Sequence, residues 1–423
     1  MVWEVVRYWA KDWIRLLFIE PEIYFKFYGF EWISPLPGSG MYVHFFVLGT
    51  CGFCLMIGFC YRLNAVLLFL TFTFVFLIDQ ANYLNHYYLI CLVSFLMIFI
   101  PAANEYSVDA FFERKTNTGY VPRWALWLIR FQIAIPYFYG GIAKIQPDWL
   151  SAVPMHSMLA KYAQVPFFGN FLNSQYTALG FAWGGMLFDI FIVPMLLWRR
   201  TRVWAFALTL LFHLTNKLFL NIGVFPWFMI AATTLFLPPE WPRRVIPRRR
   251  KLAECKEFSM PRTVGAVLMF YVFLQVVVPL RVHLYPGDTN WTEYGHRFSW
   301  RMKLRSKQTD LTIEALSPDG TRVLQLFPGD FHRYLMPHQI QDMTTRPDML
   351  QQFCRFLGDE LATRGFEAVE VTAIAQTSLN GRKAQLLVDP NCNLAQEPRT
   401  LFPVWWVLPL REPLIRVVRA DQK

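Results

Sequence analysis

The chain has 423 residues, 55% of them hydrophobic and only 17% charged, and its mean hydropathy is positive at +0.28. A soluble chain of this length carries about 25% charged residues, so an ordinary cytosolic enzyme, a disordered protein and a collagen-like fibre are excluded. The net charge of +11 must be located before it is read as nucleic-acid binding. Seven cysteines without regular spacing make no disulfide scaffold. The first residues, MVWEVVRYWAKDW, lack the basic, apolar and small-residue regions of a signal peptide.

In chain order, residues Met1 to Ile19 come first, with Trp3, Trp9 and Trp13. They are too polar to span a bilayer comfortably, and read either as an interfacial amphipathic helix or as the end of a span. Apolar stretches approaching the length of ~20 residues needed to cross then follow. They run from Met41 to Tyr61, Ala65 to Ile78, His86 to Ala102, Trp124 to Ala143, Ala178 to Trp198, Val203 to Leu220, Ile222 to Leu237 and Val264 to Leu284. Beyond Leu284 the pattern changes. DLTIEAL and TRVLQLFP alternate like strands around a DGT hairpin signal. DMLQQFCRFLGDELATRG has helical periodicity and a glycine stop, and AVEVTAIAQTSL is a further strand. The predicted fold is a polytopic α-helical membrane protein of roughly eight spans with a C-terminal extracytoplasmic α+β domain. Residues 1–40 form the interfacial segment and outer loop, 41–284 the membrane domain, and 285–423 the soluble domain.

Basic residues set the expected orientation. Arg62, then Arg114, Lys115 and Arg123, then Arg199, Arg200 and Arg202, then Arg243, Arg244 and Arg248 to Lys251 all fall in alternate loops. The intervening loops are poor in Lys and Arg, which is the positive-inside pattern. It puts the C-terminal domain and the segment before Met41 outside the cytoplasm. PRRVIPRRRK is then a cytoplasmic anchor rather than a nucleic-acid site. The expected setting is a multi-pass protein of the cell (inner) membrane, with the lipid bilayer as partner and no nucleic acid.

Ionisable groups inside spans are functional candidates by default. Here they are His86, Arg130, Lys144, Asp189, His213 and Lys217. His86, Lys144, His213 and Lys217 converge on the outer end of three predicted spans, on the side of the soluble domain. A terminal lysine can also simply snorkel, and a lone histidine can be structural. Arg130 and Asp189 are expected to form a buried ion pair that orients helices. No metal site is expected: the one CxxC, Cys51 and Cys54, lies in an apolar span with no second pair, and HExxH is absent. Walker A, GxSxG and GxGxxG sequences are absent as well.

Four segments carry a resemblance. YFYGGIAKIQPDWL (Tyr137 to Leu150) resembles the catalytic-lysine segment of the vitamin K-dependent γ-glutamyl carboxylases, and FHLTNKLFLNIGVFPW (Phe212 to Trp227) their next strong motif. LIDQANYLNHYYL (Leu77 to Leu89) is similar to the segment holding their second catalytic residue, a histidine. NWTEYGHRFSWRMKLRSK (Asn290 to Lys307) is similar to the start of their lumenal domain. The resemblance covers nearly the whole chain, and is to short bacterial homologues with the horizontally transferred transmembrane (HTTM) domain. It implies that Lys144 is the base and His86 an active-site histidine. His213, Asn216, Trp291, His296 and Arg297 are implied to bind quinone or substrate. On this reading Trp291, His296 and Arg297 wall the pocket, with Arg297 offering its planar fork to a substrate carboxylate. The alternative is a headgroup-facing linker anchored by Trp291 and Trp300.

The implied chemistry is of a carbon–carbon lyase type. The base deprotonates reduced vitamin K (a naphthohydroquinone), oxygen converts it to the epoxide, and the strong base so formed takes a γ-proton from glutamate. The carbanion then adds carbon dioxide. A lysine in water has a pKa near ~10.4 and is protonated, and burial in an apolar pocket lowers it. The chain is far shorter than the animal enzyme, and the regions that hold the propeptide there are largely absent, so a glutamate-containing protein substrate is not implied as firmly as the quinone. Cys354 falls at a family disulfide position, but Trp32 lies near its partner's place, so that bridge is expected to be missing, and a Cys354–Cys392 bond is the lesser expectation. Relatives carry a further upstream span, so Met1 is expected to fall within that helix. Two other readings stay open: quinone epoxidation without carboxylation, and a non-catalytic scaffold or lipid-binding protein. A Lys144 exposed to water without an apolar cavity would mark the last.

Overall fold

The computed structural model describes residues 1–112, 121–219, 222–246, 260–366 and 368–414. Arg114, Lys115 and the run from Arg248 to Lys251 lie outside the described residues. Two short helices open the chain, α1 (Val2–Ala10) and α2 (Trp13–Phe18). α1 is amphipathic: Val5 and Tyr8 are buried while Trp3, Val6 and Trp9 are exposed. Its buried face rests on α3 (Gly40–Ile57), where Gly49 leaves room for Val5. α3 and α4 (Tyr61–Ile78) pair closely, followed by α5 (Asn85–Phe99). Then come α6 (Arg123–Ala143), α7 (Gln175–Leu197), α8 (Arg202–Phe219), α9 (Phe225–Thr233) and α10 (Arg262–Leu280).

All eight apolar stretches therefore fall on helices, though fewer than eight of these reach the length and apolarity of a membrane span. Four helices among the described residues, α3, α4, α7 and α10, are long and apolar enough to cross a membrane. α5 and Phe225–Phe236 are apolar but shorter. α6 and α8 have the length but carry polar groups, Arg130 and Gln132 in one and His213, Asn216 and Lys217 in the other. Of these, His213 and Asn216 line a cavity and Gln132 is buried against Tyr271, while Arg130 is half-buried and Lys217 exposed.

The C-terminal part is a four-stranded sheet in the order β2-β1-β3-β4, every neighbouring pair antiparallel. β1 is Lys307–Leu316, β2 Arg322–Leu326, β3 Glu370–Leu379 and β4 Gln385–Leu386. Leu311, Ile313 and Ala315 of β1 and Val371, Ala373 and Ala375 of β3 are buried at every second position, so the sheet has one covered face. α11 (Pro337–Met343) and α12 (Pro347–Thr363) cover it with Met349, Leu350, Phe353, Leu357 and Leu361. α12 stops near Gly365, whose φ of +91° suits a glycine. The predicted hairpin, helix and third strand are thus all observed. Cys354 and Cys392 are buried free thiols.

One boundary differs from the expected division. Ile23 and Phe25, in the stretch after α2, are part of the sheet domain's core. Asp79, just after α4, accepts from the Phe25 and Ala81 amides and from Gln339 of α11. Membrane and soluble parts are consequently knitted together along the sequence from both ends.

Candidate functional site

α6 carries Pro136 inside it and ends on Gly140, Gly141 and, as its C-cap, Lys144. A Cβ on Gly141 would sit 2.8 Å from Ile190 Cγ1 and 3.1 Å from Ile190 N. Glycine there lets α6 press against the backbone of α7. That approach brings Lys144 Nζ to 2.5 Å from Asp189 Oδ2 and 3.2 Å from the Gly140 carbonyl oxygen. Both side chains are buried, at 7% and 6% exposure, and the ammonium lies 5.4 Å from the Trp149 ring. A charge pair this deep is held because each partner neutralises the other, and the carbonyls at a helix C-terminus favour a cation.

The pair opens onto a cavity of about 1020 Å³ between α6, α7, α8 and α9. Tyr137, Phe188, Phe212, Phe219 and Phe225 give it aromatic walls, and Thr177, Thr215 and Asn216 add a few polar points. His213 lies on the wall, where its Nε2 is 2.7 Å from the Tyr137 hydroxyl. Its Nδ1 is buried and has no partner among the described residues. Met302 and Lys303 from the linker to β1 form the rim. Lys144, Asp189, His213 and Asn216 are thus brought to one space.

Other expected site residues lie elsewhere. His86 is buried behind the wall, its ring 5.7 Å from that of Phe225, and it is not among the residues lining the cavity. Lys217 is exposed. The Arg130–Asp189 pair does not form, because Asp189 is taken by Lys144. Arg130 instead donates to the carbonyls of Leu235 (2.8 Å) and Leu237 (3.3 Å), where the Phe225–Phe236 segment ends. From the Arg123 end of α6 and the Leu197 end of α7, Arg130 and Asp189 both lie about two turns in. The Gly141–Ile190 contact shows why that count misleads: α7 is displaced along α6 toward Lys144.

Trp291, His296 and Arg297 do not line the cavity either. Trp291 is fully buried in the soluble core and donates from Nε1 to the Leu408 carbonyl at 2.7 Å. Arg297 Nη1 lies 2.7 Å from Asp348 Oδ2. His296 Nε2 is 2.6 Å from Arg305 Nη1, within a cluster centred on buried Glu293. Burial alone would raise the Glu293 carboxyl, but the charges of Arg305, Lys307 and His296 outweigh it and hold it well below the ordinary range. Glu293 escapes notice because nothing marks an acid in a polar loop as buried, and Asp348, partly exposed in the first turn of α12, because nothing at a helix start names a distant arginine as its partner. Spacing offered one clue, since Glu293 and His296 are three residues apart, one turn of chain.

Two family models match the chain. Residues 1–241 match the HTTM domain, and residues 260–413 match the vitamin K-dependent gamma-carboxylase, lumenal domain. No solved structure matches the chain. With its membrane helices and its sheet domain each matched in order, the chain belongs to the vitamin K-dependent γ-glutamyl carboxylase family.

Proposed function

We propose that this protein is a membrane enzyme acting on a reduced naphthoquinone, with Lys144 as base, coupled to γ-carboxylation of glutamate. The observation that carries it is the burial of Lys144 against Asp189 at the wall of a large apolar cavity. A scaffold or lipid-binding protein has no need of a buried ion pair facing such a space. The volume is at the upper end for a small-molecule site. Its aromatic walls suit fused rings and an isoprenoid tail. Bound reduced vitamin K would supply the hydroxyl to be deprotonated and, with oxygen, the strong base that takes the glutamate γ-proton.

The chain's own part is proton management. For Lys144 to act as base, the proton held between the two must pass to Asp189. With the proton on Asp189, the Lys144 amine is free to take another from a bound hydroxyl. Both partners are then protonated, and the pair carries one positive charge beside the negative charge just created. Water exclusion by Phe188, Phe212 and Phe225 keeps that attraction strong and protects a carbanion from protonation. His86 is placed to fix Phe225 from behind. Replacing Lys144 by Arg tests the reading, because arginine keeps the ion pair but does not give up its proton. Epoxide formation from reduced vitamin K should fall by about 10²–10⁴-fold in a protein that still folds. Turnover at the unsubstituted rate would overturn the assignment.

A further inference from the structure

Within five residues after Lys144 the chain makes three side-chain contacts, each to a different element. Gln146 Oε1 accepts from Asn290 Nδ2 (2.9 Å) and Arg301 Nη2 (3.2 Å), in the linker between α10 and β1. Asp148, in the short helix Pro147–Leu150, receives the whole fork of Arg382: Nη1 lies 2.7 Å from Oδ2 and Nη2 2.8 Å from Oδ1. Asn380 Nδ2 adds a third bond to Oδ2 at 2.6 Å. Trp149 Nε1 then donates to the Ala182 carbonyl of α7 at 2.8 Å, about two turns before Asp189. Asp148, Arg382 and Asn380 are all buried.

Arg382 and Asn380 stand in the turn between β3 and β4, where Asn380 and Gly381 have φ of +52° and +75°. That turn is not free to move. Asn380 exchanges two bonds with Ser306 at the start of β1, N–H to the Ser306 carbonyl at 2.9 Å and Oδ1 from the Ser306 amide at 2.8 Å. Ser378 Oγ donates to the Arg382 carbonyl at 2.6 Å.

We propose that the β3–β4 turn of the C-terminal domain is a latch that sets the position of Lys144, with Arg382 and Asn380 as positioning residues acting through Asp148. A bidentate guanidinium–carboxylate contact fixes orientation as well as distance. Burial makes any other partner for either group costly. Only three residues separate Asp148 from Lys144, and Trp149 holds the far side of the segment on the helix that carries Asp189. A shift of the turn is therefore passed to the Lys144–Asp189 pair, and any event that moves the sheet domain reaches the base by the same route. The inference rests on the reading of Lys144 as base.

The test uses the full chain in lipid nanodiscs with the Arg382→Lys variant, which keeps the charge and loses the fork. Two quantities are read: kcat and KM for epoxide formation from reduced vitamin K, and amide hydrogen exchange. A displacement near 1 Å at the base should lower kcat by up to about 10²-fold with KM little changed. Exchange over 144–150 should rise by about tenfold while 307–316 and 370–379 keep their protection. Asn380→Ala, which leaves the ion pair in place, should move both quantities in the same direction by less, and serves if Arg382→Lys fails to fold. Unchanged kcat, or exchange that rises in the strands and not in 144–150, would overturn the latch. If Lys144→Arg is inactive and Arg382→Lys turns over normally, only the latch falls. If Lys144→Arg is active, the base assignment falls, and the exchange measurement still decides the latch.

Discussion

Lys144 is marked in the sequence by the resemblance of its segment and by one rule, that a charge inside an apolar segment needs a reason. The rule also marked Asp189 and His213, which share its cavity. It could not say who pairs with whom, because depth counted from helix ends assumes that the ends are level. The partnership changes what substitution should do. A lysine at a helix end that merely snorkelled would be cheap to remove. Here Lys144→Ala leaves Asp189 buried without its counter-charge, an effect of about 3–5 kcal/mol. The double variant Lys144→Ala, Asp189→Ala should recover most of that stability and none of the epoxidation. Thermal unfolding in detergent, followed beside the epoxide assay, checks both. A single variant as stable as the unsubstituted protein would show that the pair is not formed. Trp291, His296 and Arg297 illustrate the opposite failure. Their motif was legible, but sequence alone could not show that Glu293 and Asp348 take His296 and Arg297, or that Trp291 packs into the core of the sheet domain.

Among the elements, periodicity and turn residues were enough for the strands, the long helix and its glycine stop. What they left hidden is the seam between the two parts of the chain. Ile23 and Phe25 read as an outer loop, yet they fill the soluble core, since two apolar residues in an irregular stretch have no period to reveal them. At that seam Asp79 is fully buried, and burial pushes its carboxyl from the ordinary 3.8 up to about 6 despite three hydrogen bonds. A folded-state value above the unfolded one means that the folded protein holds the proton more tightly. Its contribution to stability is therefore full below about pH 4 and is lost as pH rises through about 6. Asp79→Asn should flatten that part of the dependence. Melting temperatures of the two proteins compared from about pH 4 to about pH 7 test it, and parallel curves would contradict it.

Across the whole molecule, the Asp148–Arg382 pair puts the segment after Lys144 against the C-terminal domain, while Arg199 and Arg200 lie at the other end of α7. From the alternating basic loops we expect that second end to face the cytoplasm. In intact cells, a membrane-impermeant thiol reagent should label a single cysteine placed at Gly320, and not one placed at Arg200. The reverse pattern would invert the topology.

The central claim is that the buried Lys144–Asp189 pair works on a quinone whose oxidation drives carboxylation. The most direct measurement gives purified protein in nanodiscs reduced vitamin K, oxygen, a glutamate-containing peptide and labelled bicarbonate, and assays epoxide and fixed label separately. The expected result is both products from the unsubstituted protein and neither from Lys144→Arg. Absence of epoxide from the folded, unsubstituted protein, or equal epoxide from Lys144→Arg, would contradict the account.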